Sequence, residues 1–376
     1  IMDFTFNEEQ SLIQDQVDQF ILKEYDWETR QSLSHSDLGF GQENWQKFAE
    51  LGWLGISVSE DSGGFGGSAI ESMLIMEAFG KGLVVEPFLE TMIMSGGILD
   101  DHGSAEQKSS LLEPAIAGNM QLALAYAEPQ SRFNLSDVVT EAKADGDNFI
   151  LNGYKSVVMN GPSANKIIVS ARTSGSQLDE NGITLFVIDS EASGLNKANY
   201  KTVDGRRASD LTIENVSVSR DDIVGELDSG YEILDSAIDK AILAISAEAV
   251  GAMEVLYKTT VEYTKTREQF GTAIGKFQVL QHRMVDMFME YEQCKSLLYM
   301  ATMKHEEGAV DSKKAISGLK YQVGKAGKFI GQQAVQLHGG MGVTDELNVG
   351  HYFKRLTTVG TIFGNTDYHL KKYTSL

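Results

Sequence analysis

The chain has 376 residues, of which 42% are hydrophobic and 23% are charged, so it is long enough for two or three domains of ordinary soluble composition. Its formal net charge of −21 argues against a nucleic-acid partner, because binding to phosphates needs clustered cations. The single cysteine, Cys294, excludes a disulfide framework and a multi-cysteine metal site. No apolar run reaches the roughly 20 residues of a membrane span. We expect a cytoplasmic protein.

Residues 1–122 have the pattern of a helical domain. Asn7 and Gln10 have the spacing of a capping box, and apolar residues then recur at helical intervals. A second helix is predicted near Glu43. The glycines of the segment 63–67 predict a loop that follows no clear strand, so a Rossmann dinucleotide motif is not indicated.

Residues 123–228 have a different pattern, with short β-rich runs separated by Gly, Asn, Asp and Ser. The run at 149–155 predicts a strand that leads into a turn at Asn152-Gly153. Because these runs do not alternate with helices, we expect a compact β domain instead of βα units.

Residues 229–376 are predicted to be helical again. A nearly apolar stripe begins at Leu234, and further helices are predicted over 279–303 and 313–337, the last of them ending at Gly339-Gly340. The chain order is therefore helical, β, helical.

Two segments of the last region carry candidate chemistry. Arg267 lies at the predicted end of a long helix, where its guanidinium can bind pyrophosphate oxygens while the Phe270 ring packs against an adenosine. The alternative is a surface arginine paired with Glu262 or Glu268. Each interpretation has equal support from this segment alone.

The second segment runs from Gln336 to Gly342. It places an amide side chain just before Gly339 and Gly340, whose backbone a ligand can approach closely. The alternative is a glycine-rich helix terminus without a ligand. The two segments support each other because both lie in the same helical region.

In combination, these motifs resemble those of the acyl-CoA dehydrogenases, and the resemblance covers essentially the whole chain. It rests on Arg267-Glu-Gln-Phe-Gly, Phe277-Gln278, Gln281, Gln336-Leu-His-Gly-Gly-Met-Gly and Ile362-Phe-Gly-Asn-Thr366, and in the β region on Ala127-Glu128-Pro129, Gly153-Tyr-Lys155, Asn160-Gly161 and Arg207-Ala208-Ser209.

The resemblance implies an α+β fold with a helical N-terminal domain (1–122), a middle β barrel (123–228) and a C-terminal four-helix bundle (229–376) that forms tetramers. It also implies an FAD-dependent oxidoreductase that desaturates an acyl-CoA thioester, as in the degradation of fatty acids or steroid side chains. A glutamate removes the α proton, the β hydrogen leaves as hydride, and electrons pass to an electron-transferring flavoprotein.

The chain departs from the family where the base belongs. Gly364 occupies the usual glutamate position, and Ala241 occupies the position that some relatives use. Asp367 is a weak candidate for a replacement base, and its ordinary interpretation is a carboxylate in the first turn of the last helix. Residues on the flavin side of the β domain also differ from the family: Leu124, Ala127, Val157 and Met159.

These departures predict a subunit that contacts FAD held mainly by a homologous, glutamate-bearing partner. The alternatives are a homomeric dehydrogenase with an atypical base and a non-enzymic acyl-CoA-binding scaffold. No metal site is expected. The residues that the resemblance assigns to the cofactor are Arg267, Phe270, Phe277, Gln278, Gln336, Gly339, Gly340 and Thr366.

Overall fold

The computed structural model describes residues 5–376, which form two compact units. The helical unit contains the described residues up to Ser32, the segment Ser68–Val84 and the C-terminal part Ile242–Leu376. The mixed unit contains Leu33–Gly67 and Val85–Ala241. Within residues 5–376, no helix is long and apolar enough to cross a membrane. The domain boundaries near residues 122 and 228 stay predictions, because the two units follow packing in space and not order along the chain.

The mixed unit contains one eight-stranded sheet. Its strands are β1 (Leu122–Ala125), β2 (Glu141–Asp145), β3 (Asn148–Met159), β4 (Lys166–Arg172), β5 (Ile183–Asp189), β6 (Leu195–Lys201), β7 (Arg207–Ser219) and β8 (Ile223–Val224). The strand order is β6-β7-β3-β2-β4-β5-β8, and β1 pairs in parallel with β4. Alternate residues of β4 (Ile167, Val169 and Ala171) enter one apolar core, as the two-residue period of a strand requires.

The Asn152-Gly153 pair lies inside β3, where the sequence predicted a turn. The strand continues to Met159 and pairs with β7, and its register shifts between Leu151 and Gly153. A Cβ atom at Gly153 would lie 2.3 Å from Thr140 Oγ1, so glycine is needed there for the close approach of another segment. The predicted turn was wrong, because the same residue pair also fits an irregularity within a strand.

Helices make up most of the remaining structure. The start of α1 is confirmed as a capping box, since Gln10 N donates to Asn7 Oδ1 (2.8 Å) and Asn7 N donates to Gln10 Oε1 (3.1 Å). The helices are α1 (Glu8–Glu24), α2 (Trp27–His35), α3 (Gln42–Glu50), α4 (Ala69–Gly82), α5 (Gly97–His102), α6 (Ala105–Gln107), α7 (Glu113–Ile116), α8 (Gly230–Thr266), α9 (Gln278–Glu306), α10 (Ser312–His338), α11 (Val349–Val359) and α12 (Thr366–Ser375), with π-helical turns at Leu89–Gly96 and Lys108–Leu112.

Within the helical unit, α4 and α8 approach each other at two glycines. Cβ atoms at Gly80 and Gly251 would lie 1.8 and 1.9 Å from backbone oxygens of the facing helix, so only glycine permits this approach. Beside the crossing, Arg355 donates to both carboxylate oxygens of Glu248, at 2.7 and 2.8 Å, and both side chains are buried. This two-point bond joins α11, which leads to Gly364, to α8.

Candidate functional site

A short hairpin follows the end of α8 and carries the first candidate segment. Its strands, β9 (Glu268–Gln269) and β10 (Thr272–Ala273), are antiparallel, and Ile274 N closes the hairpin by donating to Arg267 O at 2.8 Å. The two turn residues, Phe270 (φ 55°) and Gly271 (φ 78°), both have left-handed backbone, as a two-residue hairpin of this kind requires. The turn leaves the Phe270 side chain 93% exposed.

The Arg267 side chain is exposed and unpaired. Within residues 5–376 its guanidinium forms no ion pair or hydrogen bond. The nearby Glu262 carboxylate is paired with Lys265 instead, at 2.5 Å. The alternative of a structural surface ion pair to Glu262 or Glu268 therefore finds no support in the geometry.

The second candidate segment, Gln336 to Gly342, spans the end of α10 at His338. Gly339 has a φ of 60° and, like Gly340, is exposed, with open space where a Cβ atom would lie. The Gln336 side chain is also exposed and has no partner among the described residues. A ligand could reach bare backbone and a free amide at the same place.

The structure brings the two segments together. The Tyr263 ring, one turn before Arg267, stacks on the His338 ring with centroids 4.3 Å apart and an interplanar angle of 27°. His338 Nδ1 lies 2.8 Å from Ala334 O, and burial lowers the pKa of His338, so the imidazole is neutral at pH 7. We call Arg267, Phe270, Gln336, Gly339 and Gly340 the exposed clamp.

The remaining residues assigned to the cofactor lie at helix starts. Phe277 caps α9 and meets the Phe270 ring edge-on at 6.2 Å, and Gln278 is the exposed first residue of that helix. Thr366 begins α12. Its methyl group packs so close to Gly324 of α10 that a Cβ atom placed on this glycine would lie 2.9 Å away. The cap of α12 is Asn365, whose Oδ1 accepts from Tyr368 N at 2.9 Å. Thr366 is therefore held by packing against α10.

Gly364, which the resemblance aligned with the glutamate of the family, is the buried centre of a turn that we call the Gly364 turn (Phe363–Asn365). Phe363 and Gly364 both have positive φ, at 59° and 110°. The Lys320 ammonium, 1% exposed, donates to the carbonyl oxygens of Val359 (2.8 Å) and Gly364 (2.9 Å). Burial lowers the pKa of Lys320 to about 7. The bond to Val359 satisfies a carbonyl that the end of α11 would otherwise leave unpaired, and the bond to Gly364 holds the turn that follows.

The other positions considered for a base lie in different surroundings. Asp367 is exposed in the first turn of α12, where the helix dipole stabilises a carboxylate. Ala241 of α8 is completely buried, and the nearby Asp239 is 5% exposed. Of the positions considered, Asp367 therefore has an exposed carboxylate next to the Gly364 turn, and Ala241 has a buried apolar side chain.

The mixed unit carries the positions predicted to have lost their flavin contacts. Leu124 is buried in β1, Ala127 O accepts from Ser156 N at 2.8 Å, and Val157 is 54% exposed with a φ of 52°. Left-handed backbone is rare for a β-branched residue and has to be held by its surroundings. Asp210 does so, because its carboxylate accepts from Val157 N at 2.9 Å.

Comparison with known proteins assigns the chain to a family. Profiles of the acyl-CoA dehydrogenase N-terminal, middle and C-terminal domains match residues 7–119, 123–216 and 228–373. The chain belongs to the acyl-CoA dehydrogenase family. It is therefore a member of an oxidoreductase family with the α+β fold, which confirms both the resemblance and the fold class.

Three relatives illustrate the range of this family. The 3-(aryl)acrylate reductase of Clostridium sporogenes is 30% identical over 87% of this chain and 88% of its own length. PigA, solved with FAD and proline, is 28% identical, with a TM-score of 0.92 over 100% of this chain and 98% of its own. A variant of the Tcur3481-Tcur3483 steroid ACAD is 26% identical, with a TM-score of 0.87 over 98% of this chain and 97% of its own.

Sequence reasoning missed several residues that shape the site in this acyl-CoA dehydrogenase-family chain. Asp210 also accepts from Tyr154 Oη and Tyr200 Oη, at 2.8 and 2.9 Å, and although burial opposes it, these bonds and Val157 N lower the pKa of its carboxyl. The contacts of Lys320 were not predicted, and for His369 the sequence indicated an ordinary polar role without its contact with the Gly364 turn. No local motif marks any of these residues. The sequence does show that Lys320 interrupts an apolar stripe of α10, which indicates a buried polar contact.

Proposed function

We propose that this chain is a subunit of an acyl-CoA dehydrogenase assembly, that it lacks the base, and that it shares FAD with a homologous partner carrying the glutamate. The observation that carries this proposal is a contrast within one chain. Among the described residues, the Arg267 and Gln336 side chains of the exposed clamp have no partner, whereas Gly364 and Ala241 have no titratable side chain where the family places its base. The assembly catalyses α,β-desaturation of an acyl-CoA thioester.

The clamp residues fit the nucleotide part of FAD. Arg267 binds pyrophosphate oxygens, since an unpaired guanidinium matches them with two parallel hydrogen bonds. Phe270 covers the adenine with a ring that is otherwise exposed to water. Gly339 and Gly340 allow close backbone approach because nothing fills their Cβ space. PigA, a relative of similar fold, was solved with FAD, which supports the assignment.

The partner chain provides the other half of the site. It supplies the carboxylate that removes the α proton and the contacts that Leu124, Ala127, Val157 and Met159 do not provide here. When bound, FAD supplies the acceptor for the β hydrogen. Electrons then leave to an electron-transferring flavoprotein. The Tcur3481-Tcur3483 steroid ACAD, a relative named by two components, supports a heteromer and a bulky acyl-CoA such as a steroid side chain.

The visible spectrum of the purified protein tests this proposal. The chain expressed alone is expected to bind little flavin and to show no bleaching when acyl-CoA is added. Co-expression with a glutamate-bearing homologue from the same operon is expected to give a yellow complex that bleaches with acyl-CoA. A yellow homotetramer that bleaches without a partner would contradict the proposal.

Two variants separate the remaining alternatives. If the chain alone is active, loss of that activity in Asp367→Asn identifies a homomeric enzyme with an atypical base. If the complex is active, Arg267→Ala is expected to reduce its flavin content. Unchanged flavin content and turnover in that variant would indicate a scaffold without a role in cofactor binding.

A further inference from the structure

The Gly364 turn has no room for the side chain that the family places there. An ideal Cβ atom on Gly364 would lie 2.5 Å from His369 Nε2 and 2.5 Å from Tyr368 Cδ1. Real Cβ contacts of this length essentially never occur, so one of the partners would have to move. The backbone φ of 110° adds a second obstacle, since this region is open to glycine and costly for any L side chain.

The His369 ring is fixed in that position. It is fully buried, its Nε2 lies 2.8 Å from Phe363 O, and its Nδ1 lies 3.5 Å from Ser317 Oγ. Because a carbonyl oxygen can only accept a hydrogen bond, Nε2 carries the proton and donates a hydrogen bond to Phe363 O. On the other side, the buried Lys320 ammonium donates to Gly364 O. The turn is thus held by donors from α10 and α12.

His369 does not replace the glutamate as a base. Its side chain is inaccessible, and the nitrogen nearest to residue 364 is already a donor. Burial lowers the pKa of His369 to about 4, so the imidazole is a weak proton acceptor at neutral pH. The ring fills the space of the lost side chain without taking over its chemistry.

We propose that the His369 and Tyr368 rings block the position of the base in this subunit, which we call the closure. Each pair of chains in the assembly then has a single working active site, on the partner. This inference rests on the proposed function for its count of sites, but the closure itself is a property of this chain. The His369 and Tyr368 rings lie where a side chain of residue 364 would begin. Restoring the glutamate by a single substitution therefore does not restore a site.

A double-mutant cycle on the isolated chain tests the closure. Gly364→Ala is expected to lower the urea midpoint clearly, and the same change made in a background that carries both Tyr368→Ala and His369→Ala is expected to lower it less, because both facing rings are gone. Equal shifts in both backgrounds would overturn the closure. This measurement does not depend on flavin, on acyl-CoA or on a partner.

The number of working sites is tested in the co-expressed complex with the partner. The probe is the amplitude of flavin bleaching by acyl-CoA, per pair of chains. Gly364→Glu alone is expected to leave the amplitude at one site. In the isolated chain, the loss of urea midpoint that Gly364→Glu causes is expected to be smaller in a background that carries Tyr368→Ala and His369→Ala, because the new side chain then has space.

The two experiments fail in distinguishable ways. A second bleaching site in the single Gly364→Glu variant would overturn the closure even where the proposed function holds. Bleaching of the unmodified chain without a partner would overturn the proposed function, while the cycle of urea midpoints still decides on the closure. An equal loss of urea midpoint for Gly364→Glu with and without the two rings would show that the rings are not what fills this space.

Discussion

The exposed clamp and the Gly364 turn lie in the same helical unit, yet their polar groups are satisfied in opposite ways. In the clamp, the Arg267 guanidinium and the Gln336 amide have no partner among the described residues, and Phe270 is almost fully exposed. In the Gly364 turn, Lys320 and His369 are buried and donate to backbone carbonyls. The clamp therefore has polar side chains without partners among the described residues, whereas the buried polar side chains of the turn are hydrogen-bonded.

This difference separates binding from stability. Free donors and an exposed ring contribute little to folding, because water solvates them equally well in the unfolded chain. A buried ammonium without its acceptors would cost several kcal/mol, so the turn has to be satisfied internally. We therefore expect substitutions in the clamp to change ligand binding, and substitutions in the turn to change the free energy of unfolding.

The largest expected effect comes from a matched pair of glycines. Gly364→Ala should lower the free energy of unfolding by about 3 to 4 kcal/mol, because it combines a positive φ with a steric clash. Gly340→Ala should change it by less than about 0.5 kcal/mol, since nothing lies within 4 Å of the new Cβ. Urea unfolding followed by circular dichroism measures both. Equal losses would remove the contrast between the two regions.

A pH dependence should distinguish the turn next. The pKa of His369 is lowered to about 4 in the folded chain by burial, against an ordinary value near 6.5, so the unfolded chain binds more protons between these values. The contribution of His369 to stability is then fully present above pH 6.5, and about 3 kcal/mol is lost as the pH drops to 4. Urea midpoints across this range measure the slope, which His369→Gln should reduce. An unchanged slope in that variant would assign the acid sensitivity to other groups.

In the clamp, Arg267→Ala should weaken FAD binding by the complex roughly 30- to 100-fold, the value of one or two charge-assisted hydrogen bonds. Lys265→Ala is the matched control, because it removes an exposed cation of the same hairpin region that is already paired with Glu262. Flavin fluorescence during titration of the apo-complex measures both affinities. Similar losses in the two variants would point to a general effect of charge.

The smallest effect is expected for Phe270→Ala. We expect about 5- to 10-fold weaker FAD binding, from the loss of one stacked ring, and no change in the urea midpoint, since the side chain is 93% exposed. Leu22→Ala is a suitable control at another exposed apolar position, 75% accessible on α1. A destabilised Phe270→Ala chain would mean that the ring has a structural role within the hairpin.

Much of the clamp could be predicted from the sequence because its geometry is local. Gly271 after a long helix predicts a turn, although not the positive φ of Phe270, and the Gly-Gly pair predicts the end of α10 with open backbone. The family profiles extend over the same segments, so the fold class was predictable as well. The Asn152-Gly153 pair shows the limit of this reasoning, since only the approach of Thr140 decides between a turn and a strand.

The sequence by itself determined that residue 364 carries no base and that Arg267 and Gln336 stand in cofactor-type motifs. Only the tertiary structure decided that Arg267 has no partner among residues 5–376 and that a side chain on residue 364 would clash with two rings. The reason is that burial and hydrogen bonding depend on residues far apart in the chain. Lys320 and Gly364 are 44 positions apart, and no local pattern records that one donates to the other.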